Sequence, residues 1–164
     1  MRVPVLASVV GACALLAACG QSGSEQKAAG SAAPAAPQPE LTAEQKQTLL
    51  TSLPAPYNTA DLENGKRKFG MCRSCHTIVP GGANLTGPNL HGVFGRKAGS
   101  LEGYNYSDVV KTAGFTWDAQ HLDKWLADPR GFLPGTKMTF AGLKAEKDRI
   151  DLIAFLKVET GFKP

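Results

Sequence analysis

The residues most able to do chemistry are two cysteines and a histidine in the run Met71-Cys72-Arg73-Ser74-Cys75-His76. Two cysteines separated by two residues, with histidine next, form the attachment signature of a c-type haem. The two thiols can add to the vinyl groups of the porphyrin, which places the imidazole of His76 under the iron. The pattern therefore predicts one haem c, held covalently through Cys72 and Cys75.

Other uses of a Cys-x-x-Cys pair fit the chain less well. A zinc site needs four ligands, and no second cysteine pair follows the first. A thioredoxin-type redox pair occurs in a βαβ context, and no strand pattern surrounds this one. A covalent haem still leaves three classes of protein open, namely an electron carrier, a haem enzyme and a gas sensor.

The N-terminal residues predict export from the cytoplasm. Arg2 precedes an apolar stretch over 3–18 that suits a secretory signal peptide and is short for a membrane span. Leu16-Ala17-Ala18-Cys19 resembles a bacterial lipobox, in which the cysteine is acylated. We expect 1–18 to be a signal peptide, Cys19 to be lipidated, and the protein to lie on the periplasmic side of the bacterial cell membrane. An ordinary cleaved signal and an uncleaved anchor remain open alternatives.

Residues 19–60 are predicted to form a lipid-anchored flexible tether. From Gly20 to Pro39 the sequence is rich in Ala, Gly, Ser, Gln and Pro, and it has almost no large apolar side chains to bury. A short helix is predicted over 41–53, since Thr42 and Gln45 are spaced as a capping box. The folded domain is then expected at 61–164.

Within 61–164 the pattern is helical. The segment 77–103 is rich in Gly, Pro and Asn, and it is predicted to be loop. Such a long irregular segment is unusual in a small domain unless it wraps a cofactor. We therefore expect an all-α fold in which helices and long loops surround one haem. Helices are predicted at 61–74, 107–113, 118–128 and 145–160.

The second axial ligand of the iron is expected downstream of the haem motif. Met138 follows Pro134 and Gly135 in a turn-rich stretch between two predicted helices, which suits a ligand that approaches from a loop. His91 and His121 are the alternative ligands, although each has a sequence context more typical of a surface or structural histidine.

The sequence resembles the class I c-type cytochromes, the group of mitochondrial cytochrome c and bacterial cytochrome c2, in a membrane-tethered bacterial form. The resemblance follows the family's order along most of the folded domain. Its matching stretches are 72–77, Thr86-Gly87-Pro88-Asn89-Leu90-His91-Gly92-Val93-Phe94-Gly95-Arg96-Lys97-Ala98-Gly99, 134–142 and 151–157.

The resemblance implies a set of roles. His76 and Met138 are the axial ligands, and the carbonyl of Pro88 accepts the second ring N–H of His76. Among the positions that depart from the family pattern, Trp125 stands where a tyrosine is usual, and Asn84 stands where a structural histidine often occurs. Residues near the haem propionates are Arg96, Tyr106, Trp117 and Thr136, and those implied for partner docking are Arg130, Lys137 and Lys144.

Histidine and methionine ligation closes both faces of the iron, which predicts a one-electron carrier and not an enzyme. We expect a monomer that carries electrons from a bc1-type quinol:cytochrome c reductase to cytochrome c oxidase and does not bind nucleic acid. The net charge of +4 suits acidic partners. The alternatives are a haem enzyme or sensor with a labile Met138, and a donor to a dedicated reductase or photosynthetic centre.

Overall fold

The fold was obtained as a computed structural model that describes residues 41–161. Its regular elements are helical, and the only β-type pairing in this part of the chain is an isolated bridge between Lys97 and Thr116. The all-α prediction is confirmed. The helices are α1 (Ala43–Thr51), α2 (Leu62–Phe69), α3 (Asp108–Lys111), α4 (Ala119–Ala127), α5 (Pro129–Phe132) and α6 (Glu146–Thr160), with a 3₁₀ turn at Tyr57–Thr59.

Helix α6 forms the centre of the core. Its middle residues Leu152, Ile153 and Ala154 have no exposed surface, and most of its other side chains from Asp151 onward are also buried. Helix α2 crosses α6 at Gly65, and the rings of Phe69 and Phe155 pack with centroids 5.7 Å apart. A helix buried on nearly all sides must have neighbours on every face. Here these neighbours are α1, α2 and α4.

A buried carboxylate fastens the start of α2 to α6. Asp151 has a side chain only 1% exposed, and it accepts hydrogen bonds from the Asp61 N–H (2.9 Å), the Asn64 amide (2.7 Å) and the Lys147 ammonium (2.6 Å). Burial by itself raises the pKa of Asp151, but these donors outweigh burial and hold the pKa below its ordinary value. The ionised carboxylate is therefore the form that the fold stabilises.

Replacing Asp151 with asparagine should lower the free energy of unfolding by about 2 kcal/mol at neutral pH, because hydrogen bonds to a charged group are lost. A carboxylate with a lowered pKa contributes stability above its unfolded pKa of about 3.9 and loses it as the pH falls through the folded pKa. The difference in the free energy of unfolding between wild type and Asp151→Asn should be constant from pH 5 to 8 and should shrink below about pH 4. Urea unfolding at several pH values measures it, with the exposed Glu159→Gln as the control. If this difference in free energy stayed unchanged below about pH 4, the stabilisation would not come from the ionised Asp151 carboxylate.

The segment before α2 packs onto the core, and here the prediction of a flexible tether over 19–60 is wrong for 41–60. Leu50, Leu53 and Tyr57 are all buried in the main hydrophobic cluster. The predicted capping box is confirmed, since Thr42 and Gln45 exchange both hydrogen bonds. Pro54 and Pro56 follow α1, and the apolar side chains of Leu53 and Tyr57 beside them remain buried. The packed unit therefore includes the segment from Leu41 to Ala60.

The other predicted helices are present with shifted ends. Helix α2 ends at Phe69, five residues before its predicted end, and turns carry the chain to Cys75. Pro129 follows α4, and with Asp128 as N-cap it begins the short helix α5. The segment 77–103 contains no helix, as predicted.

The N-terminal predictions lie outside the described residues. These are the signal peptide at 1–18, lipidation at Cys19 and the tether up to residue 40. None of the helices within 41–161 is long and apolar enough to cross a membrane.

Candidate haem site

A single large cleft contains the predicted cofactor residues. It encloses about 1000 Å³ of empty space, a figure that includes its open mouth. Its walls are mainly apolar, and their side chains come from the loop after α2, the segment 86–117, helix α4 and the loop before α6. The lining residues are Met71, Cys72, Cys75, His76, Thr86, Gly87, Pro88, Leu90, Val93, Arg96, Tyr104, Tyr106, Ser107, Val110, Trp117, Leu122, Trp125, Thr136, Lys137, Met138, Thr139 and Phe140.

One wall carries the two cysteines and His76. Both thiols are free and partly buried, and burial raises the pKa of the Cys72 thiol to about 11. The Nδ1 atom of His76 lies 2.7 Å from the carbonyl oxygen of Pro88. Burial lowers the pKa of His76, although the Pro88 carbonyl opposes this effect. The imidazole is therefore neutral at neutral pH, with Nδ1–H donating to Pro88 and Nε2 left to bind a metal.

The loop that carries Pro88 lies directly against the imidazole. A Cβ atom at Gly87 would lie 2.7 Å from Nδ1 of His76, so no larger residue fits at this position. The Gly87 N–H also donates to the Cys75 carbonyl at 2.8 Å. Glycine at this position thus allows the loop to support the histidine ring.

Met138 also lines the cleft, on the loop between α5 and α6. Its N–H donates to the Thr136 hydroxyl at 3.2 Å. Two contacts attach the end of this loop to α4: the Leu143 N–H donates to the Leu126 carbonyl (2.7 Å), and the Lys144 ammonium donates to the Ala127 carbonyl (2.8 Å). The loop is therefore held at its far end, and the Thr136 hydroxyl holds the backbone at Met138.

Two polar side chains of the cleft lack a matching partner. The Ser107 hydroxyl oxygen is buried without any hydrogen-bond partner. The Arg96 guanidinium donates only to the carbonyls of His91 (3.1 Å) and Asn89 (3.0 Å), and among residues 41–161 no carboxylate pairs with it. An unpaired buried hydroxyl and an uncompensated cation together indicate that the cleft is built for an acidic group.

The cleft contains every residue predicted to contact the cofactor. Of the residues predicted for docking, Lys137 lines the cleft, whereas Arg130 and Lys144 do not. The alternative ligands His91 and His121 are also absent from its walls. His121 instead stacks on Phe115 with centroids 4.4 Å apart and pairs with Asp118.

The sequence interpretation missed part of the cleft wall. Tyr104 lines it and donates its hydroxyl hydrogen to the Thr86 carbonyl at 2.6 Å. Its ring packs edge-to-face on Tyr106 at 4.7 Å. The spacing of Tyr104 and Tyr106, two residues apart in a glycine-rich loop, is a sequence signal that could have identified Tyr104 as part of the cleft wall. The apolar residues Leu90, Val93, Leu122 and Phe140 carry no local signal, because they look like ordinary core residues.

Known proteins with similar sequences are cytochromes. The chain is 48% identical to cytochrome c of Gibberella zeae over 101 residues, which cover 61% of this chain and 95% of the relative. It is 52% identical to cytochrome c of Arabidopsis thaliana over 101 residues (61% and 90%). It is 46% identical to cytochrome c2 of Rhodomicrobium vannielii over 105 residues (64% and 84%). The chain belongs to the class I c-type cytochromes. No family model matches this cytochrome.

Family membership establishes the cofactor and the general activity. The cytochrome carries one haem c, attached through Cys72 and Cys75. It is a monohaem electron carrier and not an enzyme. The matched stretches, of 101 and 105 residues, are shorter than the 41–161 segment that the structure describes.

The residues that line the cleft of the cytochrome also fit a haem, independently of the similarity to known cytochromes. Its walls are largely apolar, as a porphyrin ring requires, and the two thiols lie beside a neutral imidazole. The haem propionates are the acidic groups that would satisfy the Ser107 hydroxyl and the Arg96 charge.

Proposed function

We propose that the protein is a membrane-tethered carrier that moves single electrons between membrane complexes, with His76 and Met138 as the axial ligands. The observation that carries the proposal is that a neutral, supported imidazole and a methionine line the same apolar cleft beside the two haem-binding cysteines. The haem supplies the ferric/ferrous couple. Every other requirement falls on the protein, which must fill the axial positions, exclude water and present one edge to a partner.

The ligand pair explains why the activity is electron transfer and not catalysis. Once His76 and Met138 occupy both axial positions, no position remains for oxygen or a substrate. A thioether ligand favours the ferrous state and raises the potential. The hydrogen bond from His76 to Pro88 fixes the orientation of the imidazole, so the ligand geometry need not change when the charge changes.

The mouth of the cleft is the proposed docking face. Lys137 is exposed there, and its ammonium donates to the Asn105 carbonyl at 3.1 Å, so its charge has no carboxylate partner within 41–161. Arg130 and Lys144 are proposed to act from the surrounding surface. The proposed partners are a bc1-type reductase and a cytochrome c oxidase, each with an acidic docking face. Complementary charge of this kind accelerates encounter more than it strengthens the complex.

The proposed location is the periplasmic side of a bacterial cell membrane. This proposal rests on the sequence alone, namely the apolar signal at 1–18, the lipobox-like residues that end at Cys19 and the polar composition up to residue 40. More than one acyl chain is needed for stable anchoring, and an acylated N-terminal cysteine provides several. The mass of the purified protein, compared with that of the unmodified chain, tests the haem adduct and the acylation together.

The docking proposal predicts that charge reversal at the mouth slows electron transfer. Lys137→Glu should reduce the second-order rate of oxidation by oxidase-containing membranes about threefold or more at low ionic strength. The difference should diminish as salt screens the charges. Stopped-flow kinetics of the ferrous protein measures the rate. Lys124→Glu is the matched control, because Lys124 is also exposed but lies on α4 and does not line the cleft. Equal effects of the two reversals, or a rate insensitive to salt, would contradict the proposal.

A further inference from the structure

The backbone of three consecutive residues beside His76 is held in place by hydrogen bonds. The Gly87 N–H donates to Cys75, the Pro88 carbonyl accepts from His76 Nδ1, and the Asn89 N–H donates to the Asn84 side-chain oxygen at 2.9 Å. The last two groups belong to one peptide unit. Because a trans peptide is planar, its C=O and N–H point in opposite directions, and the direction of one fixes the direction of the other.

The buried side chain of Asn89 holds this loop in place through hydrogen bonds. Asn89 is a buried polar residue, and its side-chain nitrogen lies within hydrogen-bond distance of the Thr77 hydroxyl (2.7 Å), the Val79 carbonyl (2.9 Å) and the Gly82 carbonyl (3.0 Å). Its side-chain oxygen accepts the His91 N–H at 2.6 Å. Thr77 directly follows His76, so one buried amide joins the segment after the histidine to the loop that carries its acceptor.

Hydrogen bonds in a chain polarise one another. When the Asn84 oxygen accepts a hydrogen bond from the Asn89 N–H, the Pro88 carbonyl in the same peptide unit becomes a stronger acceptor. The stronger hydrogen bond from His76 Nδ1–H to this carbonyl then makes the imidazole a better electron donor to a metal. Asn84 is at the outer end of this chain and is exposed, which means that its side chain can be changed without opening a cavity in the core.

We propose that Asn84 and Asn89 are positioning residues that orient the peptide unit between Pro88 and Asn89, and that Asn84 tunes the reduction potential through that unit and His76. The inference rests on the proposed function, since it requires His76 as an axial ligand. Asn84 and Asn89 would not touch the haem themselves.

Two substitutions of Asn84 should move the potential in opposite directions. Asn84→Ala removes the acceptor and should shift the potential to more positive values, because His76 then donates less to the ferric iron. Asn84→Asp replaces the amide oxygen with a charged acceptor and should shift the potential to more negative values. A purely structural role would give shifts of the same sign in both variants.

A negative charge near a haem lowers its potential whatever its hydrogen bonds, so a charge control is needed. Ala83→Asp places the same charge one residue away at an exposed position, where it is not the acceptor of the Asn89 N–H. Spectroelectrochemical titration of the haem-loaded proteins gives the potentials. Proton NMR of the ferrous proteins reports the His76 Nδ1–H, and hydrogen exchange reports the Asn89 amide.

The expected result is a larger negative shift for Asn84→Asp than for Ala83→Asp, a positive shift for Asn84→Ala, and faster exchange of the Asn89 amide in Asn84→Ala. Equal shifts of the potential for Asn84→Asp and Ala83→Asp would overturn the inference, and so would shifts of the same sign for both Asn84 variants. Either result counts against the role of Asn84 alone, provided that the wild-type protein shows the spectrum of histidine–methionine ligation. A wild-type spectrum without histidine ligation would overturn the proposed function instead.

Discussion

Replacing Met138 with alanine is expected to lower the reduction potential by roughly 0.2 V or more, because the thioether that favours ferrous iron is removed. The loop that carries Met138 is attached to α4 at its far end, and within it the Thr136 hydroxyl accepts the Met138 N–H. Neither contact involves the side chain, so the loop should keep its path in the variant. The lost ligand then leaves one face of the iron open to water and to added small ligands.

The chain offers a matched control for this substitution. Met71 also lines the cleft, but it is 49% exposed and adjoins Cys72 in the sequence, so it lies on the attachment side of the site. Met71→Ala should leave the potential and the visible spectrum almost unchanged. If Met71→Ala and Met138→Ala changed the potential equally, or if Met138→Ala left it unchanged, Met138 would not be the ligand.

A methyl group added at Gly65 is expected to destabilise the fold by about 3 kcal/mol, as overpacking in a close helix crossing does. An alanine Cβ would overlap the carbonyl oxygen of Asp151 and would lie 2.6 Å from the Cβ of Phe155. Both obstacles belong to the centre of α6, the most buried helix in the described part of the chain, so neither can move without repacking the core. Helix α2 must then shift, and the cysteine-bearing turn that follows it shifts as well.

Urea unfolding of the haem-loaded protein measures the effect of Gly65→Ala. Lys66→Ala is the control, since Lys66 is the exposed neighbour on the same helix and should change the unfolding midpoint little. A Gly65→Ala midpoint equal to that of wild type would show that the helices do not approach as closely as the structure has them.

The features that the sequence predicts correctly are local ones. Thr42 and Gln45 cap α1 as predicted, because the capping hydrogen bonds join residues only three apart. The cysteine pair and His76 are likewise a contiguous signal. Such patterns are visible because the groups that interact are neighbours in the chain.

What the sequence does not reveal depends on packing between distant segments. The packing of Leu50, Leu53 and Tyr57 into the main hydrophobic cluster cannot be seen in the sequence around them, which by itself favours a tether. The contact of Asn89 with Thr77 joins two loop segments that have no regular periodicity. The partnerless hydroxyl of Ser107 is apparent only once its neighbours are placed.

Carbon monoxide titration of the reduced protein tests the central claim most directly, namely that His76 and Met138 close both faces of the iron. The ferrous wild-type protein should show no change in its visible spectrum at neutral pH, whereas Met138→Ala should bind carbon monoxide fully under the same conditions. Binding of carbon monoxide to the ferrous wild type, as readily as to Met138→Ala, would show an open iron and contradict the assignment of a closed electron carrier.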